Sequence, residues 1–231
     1  MAALNQPEPF ITARIHDQGG KPGVTGLCIG YERNSWRASQ LADHAIEWLP
    51  EFVLKHSEAI DLNSGNAVKL IRHAARKVYE SKKFENRGEF GELFLHLAIR
   101  QVFKSQPAIS KLYYKSALND TVKGFDAVHV VGNPGNLELW LGESKFYSDI
   151  GAAIRDVVDE LKKHTEIEYL RDEFLLIKGK IDPNWPHAAE LDQLLSSNTS
   201  LDVIFSKACV PVLLTYDTRC ALSSPEANAT T

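Results

Sequence analysis

Long apolar runs are missing from this sequence, and none approaches the ~20 residues that a membrane-spanning helix needs. The segment from Met1 to Pro9 has neither the basic start nor the apolar core of a signal peptide, so a cytoplasmic location is expected. Cysteine is scarce too. Cys28, Cys209 and Cys220 are odd in number and show no Cys-x-x-Cys spacing, which argues against a disulfide framework and against a zinc centre, and reduced thiols suit the same compartment. A surplus of positive charge is the third absence. With 26 Lys and Arg against 30 Asp and Glu the net charge is −4, so side chains that grip phosphates must be concentrated in one region. The Gln18-Gly-Gly-Lys-Pro-Gly23 loop lacks the spacing of a phosphate-binding P-loop, and no Gly-x-Ser-x-Gly or clustered Cys/His pattern supports another enzyme class.

What the sequence does hold is 231 residues with 44% hydrophobic content, enough for one substantial core, as one domain or one plus a small N-terminal extension. Its most informative stretch reads as a β-hairpin: Gly124 to Val131, a Gly132-Asn-Pro-Gly-Asn136 turn, then Leu137 to Phe146. Side chains alternate across a strand, so Leu137, Leu139, Leu141, Glu143 and Lys145 share one face, and Asp126 shares its own with Val128 and Val130. An acid and a lysine at the mouth of a buried face are costly unless something binds them. The turn folds Asp126 towards Glu143, and two facing carboxylates repel. A hard divalent cation, Mg2+ or alternatively Mn2+, resolves that repulsion with oxygen ligands and retained water. Lys145 would then orient or deprotonate the attacking water and steady the charge on a scissile phosphate. Taken alone, Glu-x-Lys is common, and a same-face Glu and Lys is often only a solvated pair. The upstream acid, the leucine run and the helix that follows set this example apart. His129 points away from Asp126 and is expected to be structural.

That following helix spans Asp149 to about His164, with Ile150, Ile154, Val157, Val158 and Leu161 as its apolar face. Arg155, Asp156, Asp159, Glu160, Lys162 and Lys163 fall largely on the polar side, and Ser148 or Asp149 suits the N-cap. A second helix, about Gly88 to Phe103, buries Phe90, Leu93, Phe94 and Leu97, with Glu89, Glu92 and His96 along one edge. Glu89 and Glu92 suit the positive end of a helix dipole, and Glu92 is also the candidate third metal acid. Strands are expected at about Ile109 to Ser116 and Val210 to Tyr216. The N-terminal third reads as strands at Phe10 to His16 and Val24 to Tyr31, then helices at Trp36 to Leu54 and Asn66 to Ser81, with Trp36, Trp48, Phe52 and Leu54 as core. A loop follows residue 178, then a short helix at about Ala188 to Leu195. Ser223 to Thr231 reads as unstructured. The expected division is therefore an accessory region at 1–81, the place to look for partner contacts, a core at 82–222 and a tail at 223–231. Lys82, Lys83, Arg87, Lys104, Lys111, Lys115 and Lys123 crowd around the candidate site; Lys82, Lys83, Lys111, Lys115 and Lys123 are the expected DNA contacts.

The expected fold is α/β, a central mixed sheet flanked by helices, with an N-terminal α/β extension. Its element order resembles the restriction-endonuclease-like core of the PD-(D/E)xK nuclease superfamily. The resemblance makes Asp126 the first acid, Glu143 and Lys145 the Glu-x-Lys pair, and Glu92 the helical acid. Phe125, not proline, precedes the aspartate, a departure at a loosely specified position. The runs Arg87-Gly-Glu-Phe-Gly-Glu-Leu-Phe-Leu95, Lys123-Gly-Phe-Asp-Ala-Val-His129 and Leu141-Gly-Glu-Ser-Lys-Phe-Tyr147 resemble the DUF1837 family, to which the nuclease subunit of the Hachiman antiphage system belongs. That resemblance implies a magnesium-dependent deoxyribonuclease acting beside a helicase partner in bacterial defence. The alternative is a catalytically silent nuclease-fold subunit that docks to and regulates the helicase; the intact Asp126, Glu143 and Lys145 argue against it.

Overall fold

The computed structural model describes residues 6–79, 88–110 and 124–216. The chain opens with an antiparallel hairpin, β1 (Thr12–Asp17) and β2 (Val24–Cys28), and a two-residue hairpin, β3 (Tyr31–Glu32) and β4 (Ser35–Trp36). Arg33 and Asn34, both at positive φ, close the second turn. Helices α1 (Ala38–Val53), α2 (His56–Ile60), α3 (Ala67–Tyr79) and α4 (Gly88–Phe103) follow. Next come β5 (Gln106–Ser110), β6 (Ala127–Asn133) and β7 (Asn136–Phe146), then α5 (Ile150–His164), α6 (Ile167–Lys178), α7 (Ala188–Leu194) and α8 (Leu201–Ser206), and last β8 (Ala208–Cys209) and β9 (Val212–Thr215). Among the described residues no helix is long and apolar enough to cross a membrane.

The central sheet is mixed. Strands β5, β6 and β7 are antiparallel neighbours, and β8 and β9 run in turn along the far side of β7, parallel to it. The β6–β7 register is set by the Asn133-Pro-Gly-Asn136 turn, where Gly135 takes φ 86° in the position that a type II turn reserves for glycine. That register pairs Ala127 with Gly142, which brings Asp126 beside Glu143 at the end of the ladder.

The two faces of the sheet bury different partners. On one, Val128, Val130, Leu137, Leu139 and Leu141 pack against Leu170, Phe174 and Ile177 of α6, Leu191 of α7 and Ile204 of α8. On the other, Ala127 and Trp140 meet Leu95 and Ile99 of α4. Helix α4 is apolar on a second side as well, where Leu93 and Leu97 pack on Ala45, Trp48, Leu49 and Phe52 of α1 and Ala74 of α3. A helix apolar on more than one side has to be enclosed. The layers are therefore α6–α8, sheet, α4, then α1 with α3, and each fully buried leucine is worth roughly 1.5–3 kcal/mol of apolar transfer.

Several expectations are corrected. Strand β5 begins at Gln106 and not Ile109, and the expected continuation through residue 116 lies outside the described residues. Trp36 is 55% exposed in β4, whereas Trp48, Phe52 and Leu54 are buried. Helix α5 buries Ala153, Val157 and His164, leaving Ile154 and Val158 exposed, so it is turned by about one residue from the expected face. Helix α5 lies against both β7 and β9, and the small side chain of Ala153, with no exposed surface, allows a close approach that Ile154 would prevent. Helix α6 falls where no element was expected. Lys82, Lys83, Arg87, Lys111, Lys115 and Lys123 lie outside the described residues; Lys104 is exposed at φ 55° just after α4.

Candidate active site

Asp126 is placed by backbone pairing: its N–H donates to the Gly142 carbonyl at 2.8 Å, one step beyond the β6 ladder. Its Oδ2 accepts from both the N–H and the hydroxyl of Ser144, each at 2.8 Å, so the carboxylate is anchored across the strand pair. Glu143 is 1% exposed. Its N–H donates to the Pro211 carbonyl at 2.9 Å, which ties β7 to the link between β8 and β9, and its Oε1 accepts from His164 Nδ1 at 2.7 Å. Burial pushes the Glu143 carboxyl above its usual range. The His164 hydrogen bond opposes that rise, and the nearby Asp126 charge adds to it.

Lys145 Nζ is paired with Glu160 Oε2. Glu160 and His164 stand one turn apart on α5, so this single helix holds both members of the Glu-x-Lys pair. His164 is itself fixed, stacked on Tyr169 with ring centroids 4.6 Å apart and edge-on to Phe125 at 5.0 Å. Asp149 caps the start of α5 by accepting from the Ala152 N–H at 2.6 Å.

Glu92 is buried in α4, whose first turns are pressed onto the same end of β7: a Cβ on Gly91 would lie 3.1 Å from Ser144 Oγ and 3.3 Å from Phe146 Cβ. Among the described residues no three His, Cys, Asp or Glu side chains close into a metal cage. The acids brought together are Asp126 and Glu143. Two neighbouring buried carboxylates, one of them raised by burial and further by the other's charge, are a hard oxygen donor set, and this fits Mg2+, which keeps several waters and needs one or two protein carboxylates.

His129 belongs to a separate buried network. Its Nε2 lies 3.2 Å from His96 Nδ1 and its Nδ1 lies 2.9 Å from Ser105 Oγ, while Arg100 bonds the Ser105 carbonyl. Burial drives His129 down to about 3 and His96 well below its ordinary value, so both rings are neutral at physiological pH. Sequence reasoning missed the roles of Ser144, Glu160 and His164. A signal for the last two was present: residues 153, 157, 160 and 164 recur at helical spacing.

This is a mixed α/β protein, a central mixed sheet flanked by helices, consistent with a nuclease-like core that gathers two acids and a lysine at one end of its hairpin. The HamA family model matches residues 6–230, and the chain belongs to the HamA family. The chain is 27% identical over 202 residues to a protein of Escherichia coli K12 named anti-bacteriophage protein A; the match covers 85% of this chain and 36% of that relative, so the chain spans about a third of the relative's length.

Proposed function

We propose that this chain is a metal-dependent nuclease, cutting DNA phosphodiester bonds as the effector of an antiphage defence complex that includes a helicase. The observation that carries the reading is the juxtaposition of Asp126, just before β6, and Glu143 on β7, both buried, with Lys145 two residues further along β7. Asp126 and Glu143 would hold Mg2+ (or Mn2+), with Glu92 completing the set directly or through water. A bound Mg2+ supplies positive charge to offset that of the scissile phosphate and makes water more acidic. Ser144 keeps the Asp126 carboxylate in place and His164 does the same for Glu143, so neither acid has to reorganise as charge develops. Lys145 presents its ammonium to the attacking water or to a phosphate oxygen, with Glu160 steadying it.

The case for a partner rests on family membership and on charge. A net charge of −4 makes unaided capture of DNA weak, and no module for reading sequence is recognisable. Residues 1–81 are the proposed docking region, Lys82, Lys83, Lys111, Lys115 and Lys123 the proposed DNA contacts, and the cytoplasm the proposed compartment. The test is incubation of the purified chain with plasmid, with and without magnesium, and with the helicase-like neighbouring gene product and ATP. Magnesium-dependent cutting that is lost in Glu143→Ala supports the reading. Absence of cutting in every condition, with binding to the helicase retained, would make the chain the silent regulatory subunit instead.

A further inference from the structure

One helix of the N-terminal layer stands out for its charge. Helix α3 carries no acidic residue, yet it contains Lys69, Arg72, Arg76 and Lys77 in a chain whose net charge is −4. Its buried side is supplied by Ala74, which has no exposed surface and packs into the α1 and α4 cluster. Lys69, Arg72, His73 and Arg76 are all exposed. Their spacing of three, four and seven residues puts them within about 100° of arc at 100° per residue, so they form one stripe. None of the four is paired with a carboxylate among the described residues. Lys162, exposed on α5, shows the alternative, an exposed cation held by a neighbouring carboxylate, Asp159.

We infer that this stripe is a DNA-backbone contact, in which Lys69, Arg72 and Arg76 grip neighbouring phosphates of one strand. The inference rests on the nucleic-acid reading above and extends it to a surface outside the candidate active site. From Lys69 to Arg76 the helix rises roughly 10 Å at about 1.5 Å per residue. Phosphates of one strand advance about 3.4 Å each along the duplex axis, so the rise from Lys69 to Arg76 covers about three steps, a run of four phosphates for the three cations. Arginine's planar fork is suited to phosphate oxygens, and His73 adds a donor between the cations. A surface made for an acidic protein would carry apolar or aromatic anchors among its charges. Here the exposed large apolar side chain on the described part of the helix is Val68.

The test is a fluorescence-anisotropy titration of the full chain with a short labelled duplex of mixed sequence, in EDTA so that no cleavage intervenes, across a series of salt concentrations. The combined Lys69→Gln, Arg72→Gln and Arg76→Gln variant is expected to lose about tenfold or more in affinity. Its log–log salt slope should flatten by about two to three, near 0.9 per phosphate contact removed. Arg72→Gln alone should flatten the slope by about one, and Arg72→Lys should restore most of it. Glutamine keeps a good helix propensity at these exposed positions, and an unchanged circular-dichroism melt confirms that α3 is intact. Unchanged affinity and slope would overturn the inference. So would wild-type protein that fails to bind the duplex, or a triple variant that loses only binding to polyglutamate, which would assign the stripe to an acidic protein. Failure of the nuclease reading looks different: cutting that survives Glu143→Ala, with DNA binding still dependent on the stripe, removes the catalytic assignment and leaves this surface standing.

Discussion

Glu143 and His164 are joined by a 2.7 Å hydrogen bond between two side chains that are 1% and 7% exposed. One turn earlier on the same helix, Glu160 pairs with Lys145. The buried pair and the half-exposed pair should respond differently to mutation. Removing one partner of a buried bond strands the other, whereas an ion pair with an exposed member is screened by water.

His164→Ala leaves Glu143 buried without its donor. A loss of about 1–3 kcal/mol is expected in urea unfolding. The bond to His164 also holds the Glu143 carboxyl down, so its removal raises that group further and moves the acid limb of the cleavage pH profile to higher pH. A profile that stays in place would show that Glu143 ionisation does not govern cutting.

Glu160→Gln removes a charge whose side chain is 37% exposed, so stability should change by less than about 1 kcal/mol. Cleavage should fall about tenfold in kcat with KM unchanged, because Lys145 keeps its charge and loses its fixed position. A rise in KM alone would place Glu160 in DNA binding.

Asp126→Ala, Glu143→Ala and Lys145→Ala should each lower magnesium-dependent cleavage by more than about 100-fold, the scale of a lost charge-stabilising group. Glu92→Ala should impair it less. The melting temperature of Glu143→Gln should equal or exceed that of wild type. A carboxyl raised by burial is penalised above the unfolded value near 4.5 and progressively up to its folded value, so the advantage of the variant should be larger at pH 8 than at pH 4. A variant advantage that shrinks as pH rises would contradict the direction of that shift.

Acid should destabilise the protein through His129. Its folded value of about 3 lies below the unfolded value of 6.5, so the unfolded chain binds the extra proton and stability falls as pH drops from 6.5 towards 3. Between pH 6.5 and 5 this group alone contributes a loss of about 2 kcal/mol, at about 1.4 kcal/mol per unit. His96 acts in the same direction. Urea unfolding midpoints at the two pH values check it, and equal midpoints would mean that these rings are not buried neutral.

Gly142→Ala would put a Cβ 2.8 Å from Leu95 Cδ2 and 3.3 Å from Ala127 Cβ. Leu95 is 1% exposed and has little room to yield, so overpacking should cost about 1–3 kcal/mol. Adding Leu95→Val should recover part of that loss in a thermal melt; no recovery would place the strain elsewhere.

The hairpin with Asp126, Glu143 and Lys145, and the extents of α4 and α5, were readable because period-two and period-3.6 patterns there are strong and the turn residues are unambiguous. The rotation of α5 was not. Ile154 and Val158 look more apolar than Ala153, yet the groove beside β7 selects the small residue, and that choice turns Glu160 and His164 inward. Helix α6 carries a proper stripe in Leu170, Phe174 and Ile177, but exposed Ile167, Leu175 and Leu176 blur it by placing further apolar residues outside that stripe. The hold of Ser144 on Asp126 depends on strand register, which emerges only when β6 and β7 pair.

Among the described residues, Pro211 interrupts the outer rim of the sheet between β8 and β9. Its carbonyl turns inward to receive the Glu143 N–H, and its nitrogen has no hydrogen to offer to the other side. A continuous outer strand would be a template on which a second molecule could add its own, a route to self-association that a proline at the rim obstructs. The residue that steadies the backbone of a candidate catalytic acid thus also guards the molecule against its own copies.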